Sequence, residues 1–304
     1  MKRRILAIFL ILSIMGGLNG CDSAKAHHYT IGDTFDTIIE VICYTSAADA
    51  KKYGAMAQQE LKEYHKLFDG YHLWEGVNNI CTLNENAGEW VEVDEKLSDL
   101  LYFGKEVFER TDGKVNLMGG AISLLWKNRD KPPTEDEISV ALQHIDIHTL
   151  EIEQGRARIT DKQARIDVGA FAKGYALQRV AEALEKQGFV GLLSAVSSVV
   201  AVGDKSGEPF AIGLAGVDGG VERTVFLKDK KALSTSGTNQ RFFTYEGKTY
   251  HHIIDLATGY PAESGVRQAS VLDNDAGWAD ALSTATLIGG TALVPDTILF
   301  ESEE

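Results

Sequence analysis

The spacing of hydrophobic and polar residues changes several times along the chain, and each change predicts an element. Thr34 to Tyr44 is a β-branched, strand-like run. Over residues 46–68, Tyr53, Met56, Glu60, Leu61, Tyr64, Leu67 and Phe68 recur at near-helical spacing and predict an amphipathic helix. Leu97, Leu100, Leu101, Val107 and Phe108 predict another helix, stopped by Gly113. Thr134 with Glu137 three residues later, after Pro132-Pro133, is a capping box that starts a helix running to Gln143. Alternation around Gly155 predicts a hairpin over 149–159, and Arg241 to Asp255 a second with its turn at Glu246-Gly247. Ala164 to Ile166 reads as a short strand leading into a helix that carries Tyr175, Leu177, Val180, Ala181 and Leu184, and Trp278 to Ile288 as a further helix. Strands, then helices, then strands again predict an α+β fold rather than a doubly wound sheet. The chain shows no low-complexity segment or Pro-rich linker, so a single compact unit is expected.

The start of the chain falls outside that pattern. Lys2, Arg3 and Arg4 precede an apolar run, Ile5 to Met15, too short to span a membrane as a mature helix, and small residues follow. Residues 1–20 are therefore read as a signal peptide. Leu18-Asn19-Gly20-Cys21 resembles the bacterial lipobox, in which the cysteine is diacylated and becomes the new N-terminus. The alternative is ordinary secretion with a free Cys21. Lipidation implies an anchored linker over 21–28, one domain over 29–304, and a location on the extracytoplasmic face of the cell membrane without a spanning helix.

Charge narrows the partners. Removing residues 1–20 takes away three basic and no acidic residues, so 27 Lys and Arg face 44 Asp and Glu, a formal charge of −17 against −14 for the full chain. Such a surface repels phosphate backbones and excludes nucleic acid as a partner, while a dinucleotide remains possible if a metal screens its pyrophosphate. With Cys21 acylated, only Cys43 and Cys81 remain, without zinc-site spacing, and Cys43 sits in an apolar run as a packed thiol. Neither G-x-G-x-x-G after a strand nor a Walker A loop is present.

Four segments carry candidate chemistry. Asp167-Val168-Gly169-Ala170-Phe171-Ala172-Lys173-Gly174-Tyr175 combines small residues with a helix start, which suits a phosphate approached by N–H groups and Lys173, or equally a tight strand-to-helix turn with a surface lysine. In Trp278-Ala279-Asp280-Ala281-Leu282-Ser283-Thr284 the Asp280 and Thr284 oxygens share one helix face as hard ligands for Mg²⁺, or else Asp280 is an N-cap and Thr284 bonds its own helix. Tyr250-His251-His252-Ile253-Ile254-Asp255, before Thr258-Gly259-Tyr260-Pro261, offers an imidazole as proton acceptor, or a satisfied structural histidine. On a strand, His252 and Ile254 share one face, and His251, Ile253 and Asp255 the other. Ser234-Thr235-Ser236-Gly237 fits a phosphate-contacting turn, a weak signal by itself.

In this order, DVGAFAKGYA, STSG, HHIID-x-x-TGYP and ADALSTA strongly resemble the FAD:protein FMN transferases, the ApbE or thiamine-biosynthesis lipoprotein family. Phe68-Asp69-Gly70-Tyr71 with Leu83-Asn84 resembles the family's early flavin-side loop, and Gly113-Lys114-Val115-Asn116-Leu117-Met118-Gly119 with Leu125-Trp126 its second motif. The resemblance covers residues 29 to 290. It implies related α+β halves of the T-fold type, duplicated antiparallel sheets with packed helices and FAD held between them. It also implies Mg²⁺ bound by the Ala170 carbonyl and the Asp280 and Thr284 side chains, with Tyr71, Val115, Asn116, Asp167, Lys173, Ser236 and His252 lining the flavin and its diphosphate. The implied reaction transfers FMN from FAD, the substrate, to a Ser or Thr of a target flavoprotein subunit and releases AMP. Asp280, as metal ligand, and His252, as proton acceptor, are the expected catalytic residues, with Asp255 an orienting partner.

Three departures stand beside the resemblance. Leu193-Ser194-Ala195-Val196-Ser197-Ser198-Val199 replaces the family's Asn-x-Gly-Gly stretch, Leu256 replaces a common Pro, and where relatives continue into a strand pair the chain ends with Pro295-Asp296-Thr297 to Glu304, so final strands are expected to be missing. Two other functions share the motifs: an Mg²⁺-dependent FAD pyrophosphatase giving FMN and AMP, and a non-catalytic flavin-binding lipoprotein.

Overall fold

A computed structural model of the chain describes residues 25–217 and 219–301. The basic and apolar start, Cys21 and the first part of the linker lie outside the described residues. Among the described residues no helix is long and apolar enough to cross a membrane.

The observed architecture is α+β and is built on a seven-stranded sheet in which every pairing is antiparallel. Its order is His27–Thr34, Thr37–Cys43, Gly191–Ala195, Ser198–Val202, Ala232–Gly237, Val266–Asp273, Thr297–Glu301. The strand expected over 34–44 is divided, because Phe35 and Asp36 turn with φ of 55° and 52° and join two strands as a hairpin. Phe-Asp is not a usual dipeptide for a left-handed turn, so the β-branched flanks hid it. Residues 297–301, where a final strand was expected to be missing, form one along Val266–Asp273.

Alternation along the strands divides the apolar residues between two layers. Val41, Leu193, Val200, Val202 and Ala232 face one core, shared with the helices Ala47–Phe68 and Ala172–Glu185. Ile42, Leu192, Val199, Ala201 and Leu233 face the other, shared with the hairpin of Phe210–Ala215 and Val221–Leu227. The helix Ala276–Gly289 packs beside Ala172–Glu185, along Ala232–Gly237 and Val266–Asp273.

Local chemistry explains the remaining elements. Ser46 caps the Ala47–Phe68 helix by accepting from the Asp49 N–H at 3.1 Å. In the capping box ahead of Glu135–Leu142, the Glu137 N–H donates to Thr134 Oγ1 at 3.2 Å and the Thr134 N–H to Glu137 Oε2 at 2.8 Å. Helix Glu95–Arg110 ends before Gly113, whose φ of 74° needs no Cβ. Leu150–Glu153 and Arg156–Ile159 form the first predicted hairpin, and Phe242–Tyr245 with Lys248–His251 the second. Ala164–Ile166 is not a strand: it makes one bridge, Arg165 to Gly119, and its register is fixed by a side chain instead. Asn84 Nδ2 donates to the Ile166 carbonyl at 3.0 Å, and the Ile166 N–H donates to Asn84 Oδ1 at 2.7 Å.

A satellite core forms under the second hairpin. Trp126, ending the helix Gly120–Trp126, stacks on Tyr250 with centroids 5.7 Å apart and donates its Nε1–H to the Gly259 carbonyl at 2.8 Å. Leu256, in the turn where a Pro is common, packs into this core.

Candidate active site

The site begins with two helices that touch through their backbones. A Cβ placed on Gly174 lies 2.1 Å from the Ala276 carbonyl oxygen, and one on Gly277 lies 3.2 Å from Tyr175 Cα. Only glycine permits such an approach at Gly174. It carries Asp280, in the second turn of Ala276–Gly289, over the first turn of Ala172–Glu185, where the Gly174 N–H donates to Asp280 Oδ2 at 2.9 Å. Asp280 is 5% exposed, and a carboxylate so placed needs partners. Lys173 Nζ supplies the second, 3.1 Å from Oδ2 and 3.4 Å from Oδ1, and also donates to Ser198 Oγ at 3.0 Å.

That arrangement completes the helix start. Gly174 is the third residue of the helix, where the N–H has no carbonyl partner within the helix, and Asp280 takes it. The helix cap is Asp275, whose Oδ1 accepts from the Gly277 and Trp278 N–H groups at 2.8 and 3.1 Å, so Asp280 is free of capping duty. Thr284 Oγ1 does bond its own helix, donating to the Asp280 carbonyl at 3.2 Å, and it also lies 2.9 Å from Ser236 Oγ. Ser236 Oγ lies 2.8 Å from Ser283 Oγ as well.

Asp280, Ala170 and Thr284 offer hard-oxygen donors: one buried carboxylate, a backbone carbonyl and a hydroxyl. Among the described residues no three His, Cys, Asp or Glu cluster as a softer metal would require. The donor chemistry at Ala170, Asp280 and Thr284 therefore fits Mg²⁺.

The second pole lies along the same turn. Asp167 Oδ1 accepts from the Gly169 N–H at 2.8 Å, and the Asp167 N–H donates to the Leu117 carbonyl at 2.8 Å. Asp167, aided by desolvation, pushes the Tyr71 phenol above its usual range. Lys127 Nζ sits over the Tyr71 ring, and desolvation lowers its pKa against the pull of Asp167. Tyr71 is held by Asp69, which accepts from the N–H groups of Tyr71 and His72 at 2.8 and 3.1 Å and from Trp74 Nε1 at 3.1 Å. Burial pushes the Asp69 carboxyl up, but these donors together hold it below the carboxylate range. Arg241 acts on both Tyr71 and Lys127, which ties the far hairpin to this pole.

His252 does not continue the strand expected across 250–255. Lys248–His251 ends before it, and Ile254–Asp255 pairs instead with Tyr260–Pro261, so the alternation of faces breaks. The His252 N–H donates to the Arg241 carbonyl at 3.1 Å, and Nδ1 lies 3.2 Å from the same oxygen. A carbonyl only accepts, so Nδ1 carries the proton and Nε2 the lone pair. The side chain keeps an exposed edge, yet desolvation first, and Arg241 second, lower its pKa to about 4. His251 is engaged elsewhere, with Nε2 2.9 Å from the Ala262 carbonyl.

The ApbE family profile matches residues 35–299. The chain belongs to the ApbE family. Among ApbE relatives, it is 28% identical over 267 residues to the FAD:protein FMN transferase of Rhodobacter capsulatus, covering 84% of this chain and 50% of that one. It is 26% identical over 312 residues to the FAD:protein FMN transferase of Treponema pallidum, covering 93% of this chain and 85% of that one. The chain thus spans half the length of the first relative and most of the second. The crystal structure of an ApbE protein from Thermotoga maritima matches the fold with a TM-score of 0.79 at 27% identity over 88% of each chain.

Within the ApbE frame, the expected residues fall into three groups. Lys173, Asp280, Thr284 and Ser236 meet at the first pole, and Tyr71 and Asp167 at the second. Val115 is buried in the main core, and Asn116 uses its side chain on backbone, donating to the Ile145 carbonyl at 2.7 Å and accepting from the Met118 N–H at 2.9 Å. Lys127, Ser198 and Arg241 were not anticipated. Lys127 directly follows the Leu125-Trp126 signal, and Ser198 lies inside the departing loop, where its hydroxyl takes up Lys173.

Proposed function

We propose that this protein is an exported, lipid-anchored FAD:protein FMN transferase, moving FMN from FAD to a Ser or Thr hydroxyl of a flavoprotein subunit and releasing AMP. The observation that carries the reading is the buried Asp280 carboxylate, clasped by Lys173 and the Gly174 N–H beside the Thr284 and Ser236 hydroxyls. Asp280, Thr284 and the Ala170 carbonyl would hold Mg²⁺, which when bound neutralises charge on the pyrophosphate oxygens.

The chain's own residues do the rest. Lys173, through Nζ and its backbone N–H at the start of Ala172–Glu185, attracts the diphosphate, and the small residues at 169 and 170 leave room for it. Tyr71, Asp167, Lys127 and the backbone at 115–116 line the flavin end, and Ser236, beside Thr284, meets the diphosphate. An acceptor hydroxyl attacks the FMN-side phosphorus, its proton passes to His252 Nε2, and the phosphorus–oxygen bond to AMP breaks. A pKa of about 4 keeps His252 neutral at physiological pH, and a bound pyrophosphate opposes Arg241 and raises its basicity. Diacylation of Cys21 would fix the domain to the outer face of the membrane.

The chain from residue 22, incubated with FAD, Mg²⁺ and a flavoprotein subunit, should release AMP and add the mass of FMN to the subunit. Asp280→Ala should abolish both. Unchanged AMP release in that variant refutes the metal assignment, and free FMN with an unmodified subunit refutes the transferase in favour of a pyrophosphatase.

A further inference from the structure

The hairpin of Phe242–Tyr245 and Lys248–His251 starts at Arg241 and ends at His252, so both its ends belong to the site. Its turn residues, Glu246 and Gly247, have φ of 48° and 82°, the two-residue type that makes Tyr245 and Lys248 a hydrogen-bonded pair. Bonded pairs then alternate along the register to Phe243 with Tyr250 and to Arg241 with His252, where the bond of 3.1 Å is observed. Phe242 and Thr244 therefore turn their N–H and C=O groups outward.

The two flanks of the hairpin differ. The Lys248–His251 side is occupied, with His251 bonded to the Ala262 carbonyl at 2.9 Å and Lys248 paired with Glu263 at 2.6 Å. Among the described residues no strand pairs with the Phe242–Tyr245 side, and Phe242 is 58% exposed. Natural sheet edges are usually blunted by shortness, Lys, Pro or bulges, and this edge, though only four residues long, lacks the last three.

We propose that this flank is the docking edge for the acceptor protein, an extended segment of which pairs antiparallel with Phe242–Tyr245 through the outward backbone groups of Phe242 and Thr244. The inference rests on the transferase reading, which requires a polypeptide hydroxyl to reach this cleft. Main-chain pairing supplies affinity, and the exposed Phe242 ring supplies a surface for one acceptor side chain. Because Phe242–Tyr245 runs away from Arg241, an antiparallel partner runs toward the site. Its modified Ser or Thr then lies C-terminal to the paired residues.

The test follows FMN transfer to the flavoprotein subunit by mass, alongside FAD binding by flavin fluorescence. Thr244→Pro removes an outward donor at an edge position that tolerates proline, so it should raise the KM for the subunit about tenfold or more, with kcat and FAD affinity unchanged. Thr244→Ala keeps the N–H and should leave that KM unchanged. In the wild-type protein, a subunit whose acceptor residue is replaced by Ala should slow hydrogen exchange at the Phe242 and Thr244 amides and leave the already bonded Phe243 amide unaffected. An unchanged KM in folded Thr244→Pro, or no new protection at those two amides, overturns the docking edge alone. Wild-type enzyme that releases AMP without labelling the subunit overturns the transferase reading, and the docking edge with it.

Discussion

Replacing Gly174 by alanine adds one methyl group at the tightest point in the site. In an open helix this change stabilises by about 1 kcal/mol, because glycine is the poorer helix former. Here the new Cβ lies 2.1 Å from the Ala276 carbonyl oxygen and 2.7 Å from Asp280 Cβ, where ordinary contact begins at 3.4 Å. The obstacle is backbone, so no rotamer relieves it, and the helices must separate by the missing 1.3 Å (3.4 − 2.1). Overpacking of this kind costs about 1–3 kcal/mol and outweighs the propensity gain. With a cost of about 3 kcal/mol, the upper end expected for a backbone obstacle, less the gain of about 1, the net loss is about 2 kcal/mol; at roughly 2–4 °C per kcal/mol for a domain of this size, Tm should fall by about 4–8 °C. Separation also draws Asp280 from the Gly174 N–H, so Mg²⁺-dependent FAD binding should need more Mg²⁺. Gly289→Ala is the control, since its Cβ meets only the flexible Lys114 side chain at 3.0 Å. Thermal melts and Mg²⁺ titrations of both variants decide the matter. A Gly174→Ala protein with wild-type Tm and Mg²⁺ requirement refutes the backbone contact as the device that places Asp280.

Two further measurements bear on the reaction and its location. If neutral His252 accepts the proton, kcat/KM for FAD stays level as pH falls from neutrality and bends down near pH 4, where the imidazole charges; His252→Gln should lose that limb and about 10²–10⁴ in rate, and an unchanged profile refutes the role. Cys21→Ser should move the protein from the membrane to the soluble fraction, and retention at the membrane refutes the lipid anchor.

Periodicity and local chemistry exposed the long helices, the Thr134 capping box and both predicted hairpins, because each depends on neighbours in sequence. The i, i+4 spacing likewise placed Asp280 and Thr284 on one helix face before any fold was known. What escaped depends on distant contacts. Nothing in Ala-Lys-Gly-Tyr says that Gly174 lies against Ala276, or that its N–H donates to Asp280. The strand expected through His252 stops there because Ile254–Asp255 pairs with Tyr260–Pro261 rather than continuing the hairpin. Phe35 and Asp36 hid a turn in a β-branched run, and Ile166 takes its register from Asn84 rather than from a ladder.

Thr37–Cys43 and Gly191–Ala195 are neighbours in the sheet, although the chain between them carries Tyr71, Asp167 and Lys173. Zipping these strands means closing a very long excursion, an entropic toll that slows folding. A nascent chain emerging on the far side of a membrane would thus have its early strands waiting for late partners. Under the proposed function FAD would draw on both the excursion and the closing helix, and is then expected to act as a clamp that resists unravelling.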